Sequence, residues 1–395
     1  MTKKVLSLDS LTFDSNIQVG SHKYARLFRK NDYEVFSLSH LLNINTLIRR
    51  NAEDREFIRS YRKGVQRSND GIYYYSPFCL LPYLNLPVLD SLKLAYNCLR
   101  FCYPSLRKIL KQKEFLDIDI LFVNDIRLFS VLAFVRPRIT VLRISDRIEG
   151  FNNQPKNILM FKEAVLKASN FVFASSKKLT EEASKINKNT FYLPNGVDED
   201  FIIKGDHSFP EPEEYKKIKR PIVLYLGAIS DWFDYDLYEN GLEKLKDVSF
   251  VMIGVVGGVN FKENLENVRR YISAYPNFYY LGPKRHSDLK KYLAHGDVGI
   301  IPFKINELTN DINPIKLFEY FSYGLPTITS NMQEIHNYEE YISIYKNSEE
   351  YVALILDAVN KKAFTKTKLI KAARENTWEN RYEFIISKIE NESGP

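Results

Sequence analysis

From its first strand-like run at residue 5 to the last near residue 345, the chain repeats one hydrophobic rhythm. Short runs dense in Val, Ile, Leu, Phe and Tyr alternate with longer stretches whose apolar residues recur three or four positions apart. The short runs predict strands, because branched and aromatic side chains suit a pleated, buried surface. In the first half they are VLSLD (5–9), YEVFSLS (33–39), GIYYYSPF (71–78), DILFVND (119–125), ITVLRIS (139–145), FVFASS (171–176) and TFYLPN (190–195). Between them, stretches such as HKYARLFRKN (22–31) and NILMFKEAVLKASN (157–170) predict helices. A polar, Pro- and Glu-rich passage, KGDHSFPEPEEYKKIKR (204–220), interrupts the rhythm. It then restarts with PIVLYLGAIS (221–230), VSFVMIG (248–254), NFYYLGP (277–283), VGIIPF (298–303), LPTITS (325–330) and ISIYKN (342–347).

Strands and helices in strict alternation predict an α/β fold with parallel sheets covered on both faces. We expect two Rossmann-like, doubly wound domains: residues 1–203, a linker at 204–220, and residues 221–376. The amphipathic helix at the end, within 377–395, is expected to pack back toward the first domain. In such sheets ligands bind beyond the carboxyl ends of the strands, and pockets favour domain interfaces. A cleft between the halves is therefore the expected place for chemistry.

The totals narrow the picture. A chain of 395 residues exceeds one ordinary core, and 45% hydrophobic with 27% charged residues excludes a disordered chain. A net charge of +7 favours anionic partners such as phosphorylated substrates or acidic lipid. The basic residues are spread along the chain rather than gathered in a stripe, so no nucleic-acid partner is expected. Of the three cysteines, Cys98 and Cys102 have the spacing of one helix face, but no His or further Cys completes a metal set. Buried free thiols in a reducing cytoplasm are expected. The start, MTKKVLSLDSLTF, lacks the apolar core of a signal peptide, and no apolar run approaches the ~20 residues of a membrane span. Residues 76–113 are apolar and aromatic first and basic afterwards. Two readings stay open for them: a segment lying at a membrane interface, or a core helix pair with a solvated basic end.

The stretch NDINPIKLFEYFSYGLPTITS (310–330) carries the densest chemistry. Asn313 suits an N-cap and Pro314 the first helical position, which predicts a helix over 314–323 left through Gly324. Lys316 and Glu319 are neighbours on it, three residues apart. As a surface salt bridge such a pair would contribute ~0–1 kcal/mol. Yet it opens a helix that follows a strand and a polar loop, where the dipole and free amides already attract anions. An ammonium there makes sense opposite a diphosphate, with Glu319 accepting from a ribose diol. In the first half, VLRISDRIEGF (141–151) puts Asp146 just after a strand at the sheet edge, as a candidate general base or, alternatively, a turn cap. QVGSHKYARLF (18–28) offers Gly20, Ser21 and His22 at a helix start, suited to a phosphate or sugar. Asp-any-Asp pairs occur at 117/119, 198/200 and 234/236, too common a pattern to argue for Mg²⁺. With a lysine available for phosphate, neither metal nor cofactor is expected.

DINPIKLFEYFSYGLPTITS (311–330) resembles the C-terminal signature of GT-B glycosyltransferases, in which an acidic residue, seven intervening positions and a Glu frame a donor-binding helix. Asp311 and Glu319 have that spacing, with Asp replacing the more usual Glu. FYLPNGVDEDFI (191–202) is similar to the element ending the first domain of these enzymes, and LYLGAISDWFDYDLY (224–238) to the first strand and loop of the donor domain. The three occur in family order. The closest flavour is that of bacterial surface-polysaccharide enzymes of group 1, including teichuronic-acid-type and xanthan-type glucuronosyltransferases. The resemblance implies two domains facing across a cleft, the first for acceptor and the second for a nucleotide-sugar donor. It implies that Lys316 neutralises the diphosphate, Glu319 holds the ribose and Asp311 faces the sugar. Asn313 and Pro314 would shape the presenting turn, and Gly227 would approach the leaving group. Many members carry a basic residue after that glycine where this chain has GAISDWFD, so Lys284 and Arg285 become candidates for the second cation.

The function expected is that of a glycosyltransferase of the hexosyl class. It would move a sugar from a nucleotide diphosphate donor to a glycan, itself lipid-linked, in capsule, exopolysaccharide or O-antigen synthesis. It would work in the cytoplasm, held peripherally on the inner membrane surface. The rivals are a nucleotide-sugar epimerase or hydrolase on the same fold, and a non-catalytic nucleotide- or glycan-binding scaffold.

Overall fold

In the computed structural model, which describes residues 2–15, 19–39, 41–49, 52–82, 91–147, 158–205, 209–361 and 365–392, the chain forms two units. The first is Met1–Pro194 together with Tyr382–Pro395, and the second is Asn195–Arg381.

Ten strands succeed one another in the first unit: β1 (Lys4–Leu8), β2 (Glu34–Leu38), β3 (Gln66–Arg67), β4 (Tyr73–Tyr75), β5 (Phe78–Cys79), β6 (Cys102–Tyr103), β7 (Asp117–Val123), β8 (Arg136–Ile144), β9 (Phe171–Ala174) and β10 (Thr190–Tyr192). Eight of them make one sheet in the order β10-β9-β8-β7-β1-β2-β4-β3. All its pairings are parallel except that of β3 on β4. Parallel strands covered on both faces need near-continuous apolar runs. That is why Leu6, Phe36, Leu121, Leu142 and Val172 are all buried. The chain builds outward from β1 through β2 and β4, then returns to add β7 on the other side, so the strand order reverses between β1 and β7.

The segment 76–113 divides between its two open readings. Cys79, Ala95, Cys98, Leu99, Cys102, Leu106 and Leu110 join the first core, whereas Leu80, Leu81, Tyr96, Phe101 and Tyr103 are exposed. Its residues 83–90 lie outside the described residues. Among the described residues no helix is long and apolar enough to cross a membrane.

The second unit has β11 (Ile222–Leu226), β12 (Ser249–Ile253), β13 (Phe278–Tyr280), β14 (Val298–Ile301), β15 (Thr327–Ser330) and β16 (Ile342–Tyr345). They form a wholly parallel sheet in the order β13-β12-β11-β14-β15-β16. Its reversal falls between β11 and β14, where a ligand crevice is expected on geometric grounds. Those two strands share only two register pairs, Val223 with Val298 and Leu224 with Gly299, and the Tyr320 hydroxyl lies where they diverge. It meets the carbonyls of Leu224 (3.2 Å) and Ile300 (3.1 Å) and accepts from the Leu226 amide at 3.0 Å.

The passage 204–220 is not a linker between the units. Phe201, Ile203, Tyr215 and Ile218 are buried in the second core, so the division lies upstream, between Pro194 and Asn195. Polar composition suggested a connector there, but two apolar anchors suffice to fasten the segment to the sheet layer. Residues 206–208 of that passage lie outside the described residues. Where the chain begins the second unit it runs beside its later exit. The Val197 amide donates to Asn376 and the Trp378 amide to Val197, both at 3.0 Å. A Cβ on Gly196 would stand 2.9 Å from the backbone at Thr377 and Trp378, so only glycine permits this approach. The closing helix, Trp378–Glu392, continues into the first unit. There Tyr382 stands edge-on to Phe28 at 5.1 Å, and Phe384 packs against Phe173 and Phe191.

Candidate functional site

The helix Ile315–Ser322 begins at the carboxyl end of β14, beside the switch point of the second sheet. Its N-cap position is taken by Pro314 in an extended conformation, one residue later than expected, and no side chain caps it. Asn313 is committed elsewhere. Its side-chain oxygen accepts the Asn195 amide at 3.0 Å, and its carbonyl accepts the Asn195 side chain at 2.7 Å. Its own side-chain amide donates to the Tyr338 hydroxyl at 3.3 Å. The PNG of residues 194–196 and the DINP of 311–314, far apart in the chain, are thus clamped together. Asp311, also buried, ends the short helix Glu307–Asn310 in the same loop.

Lys316 does not pair with Glu319. Its ammonium donates to the Tyr225 hydroxyl at 3.1 Å, and that hydroxyl donates onward to the Ala228 carbonyl at 2.7 Å. The rings of Tyr225 and Phe303 lie 4.3 Å and 4.5 Å from the charge, an arrangement whose π faces favour a cation. Beside it is Gly227, at φ +123°, where an added Cβ would come within 3.0 Å of the ammonium. Lys316 makes no ion pair among the described residues. Burial pushes it down to about 7, against a smaller upward pull from Glu319. Apolar surroundings disfavour the charged form of an amine, and an arriving anion would restore it.

Glu319, only 9% exposed, turns the other way and meets the His286 ring nitrogen at 3.0 Å. His286 opens the helix His286–Ala294 and stacks on Phe201 at 4.6 Å between ring centroids. Of the two candidates for a second cation, Lys284 is spoken for. It donates to Glu214 at 2.8 Å, which holds that carboxyl down to about 2, and Tyr292 also donates to Glu214. This ion pair engages the Lys284 ammonium in the unliganded protein. Arg285 is exposed, with no ion pair among the described residues. The site therefore joins a half-buried ammonium, a glycine turn and a held carboxylate at the end of one sheet.

Comparison with known proteins bears on the same half. Residues 220–361 match the family model described as glycosyl transferases group 1. The chain is 25% identical over 172 residues to the Bacillus subtilis (strain 168) protein TuaH, whose name places it among teichuronic acid biosynthesis glycosyltransferases. That match spans 41% of this chain and 40% of TuaH. The fold extends over the whole molecule. A glycosyltransferase from Rickettsia africae superposes at a TM-score of 0.64 and 14% identity over 98% of this chain and 97% of that one. Anabaena HepE in complex with UDP and glucose gives 0.66 at 13%, over 98% and 99%. Sucrose-phosphate synthase from Thermosynechococcus elongatus gives 0.67 at 13%, over 98% of each. The fold is GT-B, two parallel α/β sheets in series.

All the donor-side candidates of the sequence lie within the residues that match this family model. The acceptor-side candidates lie in the first unit. Asp146 is exposed on the turn that follows β8, an interior strand of the sheet rather than an edge strand. Surrounding atoms raise its pKa and Arg143 lowers it, while water still reaches the residue. The residues 148–151 quoted with it lie outside the described residues. Gly20 is the first residue of the helix Gly20–Lys30. Ser21 and His22 follow in its first turn, both buried.

Those two converge on a carboxylate that sequence reasoning missed. Asp9, fully buried at the end of β1, accepts from Ser7 at 2.9 Å, Ser37 at 2.6 Å and Asn124 at 3.2 Å, and from Ser21. Burial raises Asp9 and lowers His22, each partly offset by the other, so burial favours their neutral forms. The His22 Nε2 faces the Leu11 carbonyl at 3.4 Å, and its Nδ1 is buried with no hydrogen-bond partner among the described residues. In the second unit Tyr225, Phe303 and His286 were missed too. Their signals, an aromatic inside a strand and a His after a Gly-Pro turn, are also those of ordinary core and loop residues.

Proposed function

We propose that this chain transfers a sugar from a nucleotide diphosphate donor to a glycan acceptor in the synthesis of a bacterial surface polysaccharide. One observation carries the reading: a lysine ammonium with no carboxylate partner among the described residues, flanked by two rings and a glycine turn at the switch point of the second sheet. A half-buried cation without a counter-charge is costly, and a pyrophosphate supplies the charge that this pocket lacks. In this reading the diphosphate lies along Gly227 and Lys316, with the first-turn amides of Ile315–Ser322 behind it. Glu319 exchanges or shares its His286 contact for a ribose hydroxyl, and Asp311 faces the sugar. Charge built up on the leaving diphosphate as the sugar–oxygen bond breaks would be met by the same ammonium. Asp146 would take the proton of the acceptor hydroxyl. Arg285 is the remaining candidate for a second phosphate contact. Support comes from UDP and glucose bound to the similarly folded HepE and from the name of TuaH.

The acceptor in this reading is lipid-linked, and the chain works against an acidic membrane surface. Leu80, Leu81, Phe101 and Tyr103 are exposed, next to a short helix whose Arg107, Lys108 and Lys111 are also exposed. Apolar and aromatic groups beside free basic ones suit a headgroup layer.

A thermal-shift screen of UDP-, GDP-, ADP- and TDP-sugars tests the donor half. A ligand at 100 times its Kd adds roughly 2.7 kcal/mol, and Lys316→Ala should erase the shift for the true donor. If every sugar nucleotide leaves the melting temperature unchanged, the reading fails. Co-sedimentation with phosphatidylglycerol-containing vesicles tests the membrane half. Binding should fall in a Leu80→Asp, Leu81→Asp variant whose donor shift is intact.

A further inference from the structure

β5 and β6 form a two-stranded antiparallel pair in which Cys79 stands directly opposite Cys102 and Phe78 opposite Tyr103. The ladder bond next to the cysteines runs from the Leu80 amide to the Phe101 carbonyl at 3.0 Å. The Cys79 amide itself is taken by the Leu42 carbonyl at 2.8 Å. The two cysteines therefore occupy a non-hydrogen-bonded position, where Cα atoms stand ~4.5 Å apart and facing side chains come closest. A disulfide requires Cα atoms ~4.4–6.8 Å apart. Both thiols lie on the buried face, Cys79 at 0% and Cys102 at 7% exposure. The third cysteine has other partners. The Cys98 sulfur pairs with the Ser130 hydroxyl at 3.2 Å, and its carbonyl accepts the Cys79 thiol at 3.2 Å.

We propose that Cys79 and Cys102 are a redox modification site, closing a reversible disulfide across β5 and β6 when the protein meets hydrogen peroxide. All three cysteines are free thiols in the structure, so the reduced form is the starting point. One thiol sulfur of the pair attacks the peroxide O–O bond, giving a sulfenic acid and releasing one water. The facing thiol then attacks that sulfur, the S–S bond forms, and the sulfenic oxygen leaves as a second water. Two thiols are oxidised and one peroxide is reduced, with no further reactant. The bond ties together the two ends of the segment 80–101, which carries the exposed Leu80, Leu81, Tyr96 and Phe101. Small dithiols reverse it by exchange.

The test uses the full chain, purified reduced, exposed to hydrogen peroxide, alkylated and digested with trypsin without reduction. Arg100 lies between Cys98 and Cys102, so the two fall on different peptides. The expected result is a cross-link of the Cys79 and Cys102 peptides that has lost two hydrogens and disappears with dithiothreitol. It should persist in Cys98→Ser and vanish in Cys102→Ser. Cross-linking through Cys98, or sulfinic and sulfonic acids on unlinked thiols of the unmutated protein, would overturn the proposal. The readout needs no sugar transfer, so it stands or fails apart from the proposed activity.

Discussion

The Lys316 pocket makes a quantitative claim about proton linkage. Its amine is pushed down to about 7 in the free protein by burial, so it is half-charged near neutrality. A sugar nucleotide carries a pyrophosphate diester whose two negative charges do not titrate in this range. Bound against Lys316, it should return the amine toward the ordinary lysine range. Below pH 7 the amine is already protonated and affinity should be flat. Above it, binding must take up a proton, at about 1.4 kcal/mol or tenfold in Kd for each further pH unit. Between about pH 7 and 9 the dissociation constant should therefore rise by roughly fiftyfold. Calorimetric titration across that range, repeated in buffers of different ionisation enthalpy, measures both the affinity and the proton. Nearly one proton should enter per donor bound at the alkaline end. The same shift acts on folding. The folded-state value lies below the unfolded one, so the unfolded chain holds more protons above pH 7. The penalty for burying the charge is complete below pH 7 and is relieved as pH rises toward the unfolded value, so stability increases over that window. Lys316→Met should abolish both the proton uptake and this rise. A Kd constant from pH 6 to 9, with no proton exchanged, would refute the reasoning.

Other expectations follow from single contacts. Gly299→Ala puts a Cβ 2.6 Å from the Tyr320 ring; overpacking of this kind costs about 1–3 kcal/mol, read as a lower chemical-denaturation midpoint with an unchanged slope. Asn195→Ala removes the 2.7 Å donor to the Asn313 carbonyl, leaving a buried acceptor short at a cost of about 1–3 kcal/mol; donor affinity should weaken along with stability. His286→Ala frees the Glu319 carboxylate from its 3.0 Å partner. Loss of about 1 kcal/mol of positioning should raise the donor Kd about fivefold and leave kcat nearly unchanged. Lys284→Ala breaks the Glu214 pair and the cation–π contact with Tyr292, so donor affinity should hold within a factor of about two while a modest contribution to stability is lost.

Much of the architecture was legible along the chain because it rests on local regularities. Buried parallel strands must be apolar throughout, so IVLYL in β11 and VGII in β14 announced themselves by composition. The helix Ile315–Ser322 was visible from the proline before it and the glycine after it, with its start misjudged by one residue. The same regularity marked Lys316 and Glu319 as neighbours on one helix, and it misled where polar composition stood in for position. Residues 204–220 read as a connector, but Tyr215 and Ile218 bury them in the second core.

What the tertiary structure alone decided is which group each side chain meets. Helical spacing placed Lys316 near Glu319, yet the lysine reaches Tyr225 and Phe303 while the glutamate reaches His286. Asn313 forgoes its cap to hold Asn195, 118 residues away. Asp9, unremarkable after its strand, gathers Ser7, Ser37 and Asn124 only because β1, β2 and β7 lie side by side. Periodicity specifies the face a residue occupies, since it follows from backbone geometry a few residues long. Partners and proton affinities depend on which distant surfaces are packed against that face and how much water they exclude. For Lys316 that exclusion is the difference between an ordinary surface lysine and a site for an anion.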